Sequence, residues 1–353
     1  MKKEIGKIIR KIKEVVENQD FINAHKKKSK DFTRKVKLGF PDVINFVLGK
    51  TGNTLGLEQM KFSQKSGIEV SPSAITQARA KVKYTAFKSL LIETSKTIEP
   101  KNLYKGYRVT SFDGMQGELP RTKELMEKYR PTSVSEYPMF HALAEYDVLN
   151  CIYTNAIFAS APANERELVC QLLEKHDYPK EEIFLLDRGF PGIEVIQQLE
   201  QNSQKYIMRI STSFLRETNE FIKSKSVDKV IYVEYDKRRK STSRSSFTGD
   251  EFAFTLRCVK IDLPNGKYEV LITNLLKEEM SRSEIGDLYN LRWRIETAFL
   301  DLKYAVHVED FLGKKEELIK QEFFASLIQA NVSMLFMEVA NNIVVSKKKK
   351  LRC

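Results

Sequence analysis

The chain has 353 residues, of which 42% are hydrophobic and 30% charged, and it carries a formal net charge of +12. This length allows two or three domains, each with a hydrophobic core of its own. Because the sequence has no run of about 18 apolar residues and no apolar stretch behind its charged N-terminus, it predicts neither a membrane span nor a secretion signal.

The cysteines and histidines are too widely spaced to suggest a metal cage. The four cysteines include no Cys-x-x-Cys pair, and the four histidines are equally scattered. This spacing argues against a zinc site and against a disulfide framework, and it favours a reducing cytoplasm.

The positive charge is concentrated at the two ends of the chain. Residues 1–105 hold 23 Lys and Arg against 10 Asp and Glu, and residues 347–352 add five basic side chains, so the middle is slightly acidic. This distribution favours phosphate-binding ends around a centre that uses carboxylates. A lysine-rich solvated surface would have the same totals, so charge alone leaves nucleic-acid binding open.

The first 105 residues are predicted to form a basic, helical, DNA-end-binding domain. Residues 2–18 are amphipathic at helical spacing, and two further helices are predicted for 42–48 and 57–66.

A short helix is predicted over residues 74–82, after Ser71-Pro72-Ser73, which has the residue types of a helix N-cap. A helix, a turn containing Gly67 and a second helix bearing Arg79 and Lys81 would suit a helix-turn-helix that reads DNA. A plain helical bundle is the alternative.

From Tyr107 onward the pattern changes to the short apolar runs of β-strands. The run 183–187 is continuously apolar and ends in Asp187, as a central strand buried on both faces would. Other strands are predicted for 107–112, within 141–149 and for 151–158, and helices for 164–175 and 193–201.

Residues 205–275 are predicted to be a β-rich insertion. Its strands are expected near 206–210, 230–235, 252–261 and 268–272, with Asn265-Gly266 as a hairpin turn. The polar stretch 236–250 is expected to be a loop.

The segment Tyr289–Lys303 carries the strongest pattern in the chain. If it is one helix, Tyr289, Arg292, Glu296 and Lys303 share an arc of about 60° on the helical wheel, beside the apolar face. A salt-bridged surface helix would explain the Arg292 and Glu296 pair equally well.

This Tyr-x2-Arg-x3-Glu-x6-Lys pattern resembles the Y-R-E-K signature of bacterial insertion-sequence DDE transposases of the insertion sequence four type. Upstream, Phe112-Asp113-Gly114 resembles the first aspartate motif of that family, and Asp187-Arg188-Gly189-Phe190 its second. The order Asp, Asp, β-rich insertion, Glu is more specific than any one motif.

The resemblance implies an α/β, RNase H-like mixed sheet flanked by helices, with a β-rich insertion before the last catalytic helix. The implied organisation is a DNA-binding domain (1–105), a catalytic core in two parts (106–204 and 276–345) around the insertion (205–275), and a basic tail (346–353).

Asp113, Asp187 and Glu296 would then be the catalytic, metal-binding triad. Two Mg²⁺ ions about 3.5–4 Å apart can activate an attacking hydroxyl and stabilise the leaving oxygen of a phosphodiester. Mg²⁺, for which Mn²⁺ can substitute, prefers oxygen ligands. Taken singly, Asp113 could be a turn aspartate and Asp187 a strand-end cap.

Other residues of the motifs are expected to contact DNA. The resemblance implies phosphate contacts for Tyr289, Arg292 and Lys303. Trp293 would stack on an unpaired base or else pack in a core or interface. Arg188 would orient Asp187 or touch DNA, and His141 is interpreted as structural.

The predicted function is cut-and-paste DNA transposition by a cytoplasmic, nucleoid-associated bacterial enzyme. Its partners would be double-stranded terminal repeats and target DNA, with a homodimer in the synaptic complex and no membrane. The alternatives are another RNase H-like nuclease, such as a resolvase, and an inactive DNA-binding relic. An RNA-binding protein is disfavoured because the sequence has no stacking-aromatic RNA motif.

Overall fold

A computed structural model of the chain describes residues 2–350, apart from 35, 176–177, 237–250 and 265. The strands in this part of the chain are β1 Arg108–Glu118, β2 Met139–Asp147, β3 Ile152–Ser160, β4 Glu182–Leu186, β5 Lys205–Arg209, β6 Asp228–Asp236, β7 Glu251–Asp262 and β8 Tyr268–Thr273. The helices before β1 are α1 Lys2–Glu17, α2 Gln19–His25, α3 Phe40–Leu48, α4 Leu55–Ser66, α5 Pro72–Arg79 and α6 Thr85–Lys96. Those after it are α7 Lys123–Tyr129, α8 Glu165–Lys175, α9 Ile193–Gln201, α10 Arg216–Lys223, α11 Arg282–Asn290, α12 Trp293–Tyr304 and α13 Glu316–Lys350.

All eight described strands lie in one mixed sheet, in the order β3-β2-β1-β4-β5-β8-β7-β6. Strands β1, β4 and β5 are parallel to one another, and the other neighbours pair antiparallel. The order of the first five strands is that of an RNase H-like fold, which confirms the predicted fold class.

The sheet is covered on both faces because its central strands are apolar on both sides. In β4, Ile183 and Leu185 belong to one hydrophobic cluster and Phe184 and Leu186 to another, as alternation along a strand requires. The first cluster also includes residues of α6, α12 and α13, and the second includes residues of α8 and α9.

The six N-terminal helices share a core with the sheet and with α13. Phe40 and Phe87 lie in the same hydrophobic cluster as Phe140 of β2 and Ile319 of α13. Helices α2 and α6 were not predicted from sequence, and α6 packs on both α13 and β3.

Helices α4 and α5 have the local features from which a helix-turn-helix was predicted. Gly67 follows α4 in the left-handed conformation, with φ of 71°, which a residue without a Cβ adopts readily. Ser71 caps α5 by accepting a hydrogen bond from the Ala74 N–H at 3.2 Å. The DNA-reading role of this pair remains a prediction.

The strands of the predicted β-rich insertion extend the same sheet. Strand β5 pairs with β8, with Ile207 opposite Thr273, and β6 and β7 follow outward. Most of the loop predicted for 236–250, and Asn265 of the predicted hairpin turn, lie outside the described residues.

One described helix is long and apolar enough by composition to cross a membrane, namely Glu316–Ala340 within α13. Its apolar side chains pack inside the fold, where Ile319, Phe323, Leu327 and Ile328 are buried. This helix therefore has the features of a core helix, and length and composition alone are weak evidence for a span.

Candidate active site

The three predicted catalytic carboxylates lie at one edge of the sheet, where the parallel strands end. The pairing of β1 with β4 stops at Ser111, so Asp113 lies on β1 just beyond the last paired residue. Asp187 is the first residue after β4, and Glu296 lies in the first turn of α12. Helix α12 packs against β1, which brings the glutamate to the two aspartates.

The carboxylates converge on a single buried cation, the guanidinium of Arg292. Its Nη2 lies 2.7 Å from Glu296 Oε1 and 3.9 Å from Asp187 Oδ2, and its Nη1 lies 3.6 Å from Asp113 Oδ2. The Arg292 side chain is only 3% exposed. In this structure the partners of Arg292 are the three carboxylates, and its predicted contact with a DNA phosphate stays a prediction.

The site holds more negative charge than this one arginine balances. Burial raises the pKa of Asp113 to about 6, and the charges of Glu296 and Glu165 act in the same direction, against the opposing effect of Arg292. The pKa of Arg292 is raised, because the negative charges around it, of which Asp187 is the strongest, outweigh the opposing effect of burial. Additional positive charge would therefore stabilise the ionised site.

The segment Tyr289–Lys303 is two helices, not the single helix on which the wheel was based. Helix α11 ends at Asn290 and α12 begins at Trp293. The connection is a tight turn of i to i−3 hydrogen bonds, such as Arg292 N–H to Tyr289 O at 3.0 Å. The tighter winding keeps Arg292 and Glu296 together.

Tyr289 contacts the second aspartate of the site. Its side chain is buried, and its hydroxyl donates a hydrogen bond to Asp187 Oδ1 at 3.2 Å. Burial and the neighbouring Asp187 raise the pKa of this phenol far above its usual value, so it remains a donor. Tyr289 therefore holds Asp187 in place, and its predicted phosphate contact stays a prediction.

Three other predicted DNA contacts have accessible side chains. Trp293 is 57% exposed, which excludes the core-packing alternative, and the Arg292 guanidinium carbon lies 5.2 Å from its ring centre. Arg188 is exposed beside Asp187. Lys303 is partly exposed in the last turn of α12 and pairs with Glu309 at 3.1 Å. Their roles on DNA stay predictions.

The two predicted DNA contacts on and after α5 differ in exposure. Arg79 is 1% exposed, and its Nη2 lies 2.5 Å from Glu322 Oε1 of α13. The side chain joins α5 to the core, and its predicted DNA contact stays a prediction. Lys81 is exposed and lines a basic groove with Lys27, Lys28, Lys30, Arg34 and Lys37.

Sequence reasoning missed Glu165 and interpreted its neighbour His141 as structural. Glu165 begins α8, and its Oε1 lies 3.3 Å from His141 Nε2. A Cβ on Gly114 would lie 2.1 Å from Glu165 Oε1, and one on Gly189 would lie 3.3 Å from Oε2. The signal available in the sequence was the pair of glycines that closely follow the two aspartates.

The chemistry of the donor set fits a hard divalent cation. Among the described residues, no group of three or more His, Cys, Asp or Glu side chains is arranged to hold a metal ion as it stands. At this site the Arg292 guanidinium lies among the three carboxylates. Carboxylate oxygens are the ligands that Mg²⁺ prefers, so the residue types suit this ion.

Comparisons with known proteins show which family the chain resembles. A family described as Transposase DDE domain matches residues 104–332. A putative transposase, InsL, of insertion sequence element IS186A from Escherichia coli (strain K12) is 26% identical over 218 residues. The match covers 52% of this chain and 57% of that protein. Transposase InsG of element IS4 from the same organism is 23% identical over 273 residues, which is 74% of this chain and 60% of that protein.

The chain thus spans about three fifths of the length of these curated relatives. Among solved structures, a piggyBac transposase in a synaptic complex with hairpin DNA aligns with 93% of this chain and 72% of its own, with a TM-score of 0.49 and 13% identity.

Proposed function

The chain belongs to the family of transposase DDE domains, which confirms the resemblance found in its sequence, and we propose that it cuts and rejoins DNA. The observation that carries the proposal is the convergence of Asp113, Asp187 and Glu296 on one buried cation at the open end of the parallel strands. The proposed activity is metal-dependent strand cleavage followed by strand transfer, as in cut-and-paste transposition.

Asp113, Asp187 and Glu296 would hold Mg²⁺, or Mn²⁺ in its place. The bound ions would supply activation of the attacking water or 3′-hydroxyl and stabilisation of the departing oxygen. Tyr289 positions Asp187 through its hydroxyl hydrogen bond. Arg292 holds the three carboxylates close together through its guanidinium.

The proposed substrate is double-stranded DNA, both the element ends and the target. The side chains of Arg188, Trp293 and Lys303 are exposed, and we assign them to the cut end. Arg188 directly follows Asp187, and the other two lie on α12 with Glu296. The basic groove, defined by Lys27, Lys28, Lys30, Arg34, Lys37 and Lys81, would hold the flanking duplex. A homodimer would bring two ends together, in the bacterial cytoplasm at the nucleoid.

The test is cleavage of the flanking DNA of the element by the purified chain in Mg²⁺. Glu296→Gln keeps the size of the side chain but removes a metal-binding charge, so cleavage should fall by several orders of magnitude while DNA binding persists. Asp113→Asn and Asp187→Asn should do the same, and combining them should add little because the three act as a unit.

Asp301→Asn is the matched control, since Asp301 is an exposed acid of the same helix. If Asp301→Asn abolishes cleavage and Glu296→Gln does not, the third carboxylate has been misassigned. Cleavage that persists in EDTA would contradict the metal-dependent mechanism. Nicking without joining would identify a nuclease, and DNA binding without either step would identify an inactive relic.

A further inference from the structure

A further carboxylate, Glu165, lies near Asp113 on the face of the sheet that α8 covers. Strand β4 ends at Leu186 while β1 continues to Glu118. Helix α12, which carries Glu296, packs against β1. Helix α8, which begins with Glu165, packs against β2 and β3, and its buried residues belong to the other hydrophobic cluster.

The backbone is shaped to admit the Glu165 carboxylate. Oε1 lies so close to Gly114 that a Cβ there would be 2.1 Å away, and Oε2 lies beside Gly189. A side chain at position 114 would displace the Glu165 carboxylate from this place. Gly114 directly follows Asp113, and Gly189 is two residues after Asp187. Glu165 therefore lies against the backbone next to both aspartates.

A buried histidine is directed at the same carboxylate. Gln116 Nε2 lies 3.3 Å from His141 Nδ1, and an amide nitrogen only donates, so the ring of a neutral His141 carries its proton on Nε2. This Nε2 is 3.3 Å from Glu165 Oε1, yet the two are not aligned for a hydrogen bond, and no other partner reaches it among the described residues. The His141 side chain is 4% exposed. A polar group this deeply buried normally has a partner, and a small rotation of Glu165 would provide one.

We propose that Glu165 is a fourth carboxylate of the active site, oriented by His141, and that it supplies a ligand to a divalent cation bound between Asp113 and Asp187. The four carboxylates would then approach this cation from both faces of the sheet. This inference rests on the proposed function, because it assumes that the aspartates bind metal. Glu165 is near enough to Asp113 for its charge to act on that residue.

Mn²⁺ binding to the full chain, measured by calorimetry without DNA, tests the proposal independently of activity. Glu165→Gln should weaken Mn²⁺ binding by about 10- to 100-fold. Glu167→Gln is the matched control, because Glu167 is an exposed acid in the same first turn of α8. Its Mn²⁺ affinity should equal that of the wild type. His141→Leu should weaken binding by less than Glu165→Gln, because it removes only the orienting donor.

Asp187→Asn separates this proposal from the one on which it rests. If Asp187→Asn loses Mn²⁺ binding and Glu165→Gln does not, the fourth carboxylate is refuted and the triad stands. Unchanged binding in both variants would overturn both proposals. Thermal unfolding in EDTA should be nearly unchanged for Glu165→Gln, whose side chain is partly exposed. If that variant fails to fold, Glu165→Asp, which retracts the charge by one methylene, replaces it with the same expected direction.

Discussion

At the scale of single residues, Arg292 supplies the positive charge that the three carboxylates share in this structure. A guanidinium presents several N–H donors in a planar fork, so it can satisfy several carboxylates together. Its Nε has no hydrogen-bond partner among the described residues although it is buried. The side chain is therefore held mainly by its charge contacts with the three carboxylates.

Arg292→Gln should destabilise the metal-free protein and make its stability more dependent on metal. Removing the guanidinium leaves three partly exposed carboxylates without a counter-charge, which should lower the free energy of unfolding by roughly 1–3 kcal/mol in EDTA. Millimolar Mg²⁺ should restore more stability to this variant than to the wild type, since it binds the folded state. Denaturant unfolding with and without Mg²⁺ measures both effects.

Arg188→Gln is the control for Arg292→Gln, because Arg188 is exposed beside the same aspartate. The free energy of unfolding of Arg188→Gln should be close to that of the wild type, both with Mg²⁺ and without it. If Mg²⁺ stabilises the wild type and Arg292→Gln equally, the arginine does not occupy the position that the metal ions need.

At the scale of the elements, the start of β4 contains an ionisable group that the catalytic site does not use. Glu182 is 2% exposed and accepts a hydrogen bond from the Thr110 hydroxyl across the parallel pair β1 and β4. Burial raises its pKa to about 7, and the nearby acids Glu145 and Asp147 act in the same direction against Arg108. The central pair of strands is thus most stable when this carboxyl is protonated.

The stability of the fold should therefore fall as pH rises through this range. The pKa of Glu182 is about 7 in the folded chain against 4.5 as its ordinary value, so the folded state retains the proton longer and unfolding becomes easier between these pH values. Glu182→Gln should remove this loss, which is on the order of 1–3 kcal/mol. Urea unfolding across the range measures it. The neighbouring exposed Glu181, changed to Gln, should retain the wild-type pH dependence.

At the scale of the whole molecule, the basic N-terminal residues 1–105 and the sheet share one hydrophobic core. Glu322 of α13 contacts Arg79 of α5 and Lys50, both buried, and it accepts hydrogen bonds from the backbone N–H groups of Leu312 and Gly313. Removing one member of such a buried network leaves the others unpaired. DNA binding by residues 1–105 should therefore be tested in the full chain. Side chains of this segment belong to a hydrophobic core that also contains residues of the sheet.

Replacing Lys30, Arg34 and Lys81 together by Ala should weaken binding to the element ends. These exposed side chains line the basic groove, and each lost phosphate contact should reduce the slope of log affinity against log salt by about 0.9. A control of equal charge is the replacement of Lys223, Lys225 and Lys229. These residues lie in or near β6, at the opposite edge of the sheet from β3, on which α6 packs. An equal reduction in both triple variants would show that the groove has no special role.

The sequence by itself determined the features that depend on local patterns. Alternating and continuous apolar runs predicted the strands of the sheet, because side chains alternate along a strand whatever the partner. The order of Asp113, Asp187 and Glu296, read with the family resemblance, predicted the RNase H-like class and the three carboxylates that the structure brings to one sheet edge. These features were accessible because each is contained within a short stretch of chain.

The tertiary structure decided which partners the charged residues have. A basic side chain is suited to a phosphate or to a carboxylate, and the choice depends on what packs against it. Arg79 is buried against Glu322, 243 positions away in sequence, and a tight turn directs Arg292 into the triad. Glu165, at the start of α8, lies against Gly114 and Gly189, which are 51 and 24 positions away in sequence. Such contacts join distant segments, so local periodicity carries no information about them.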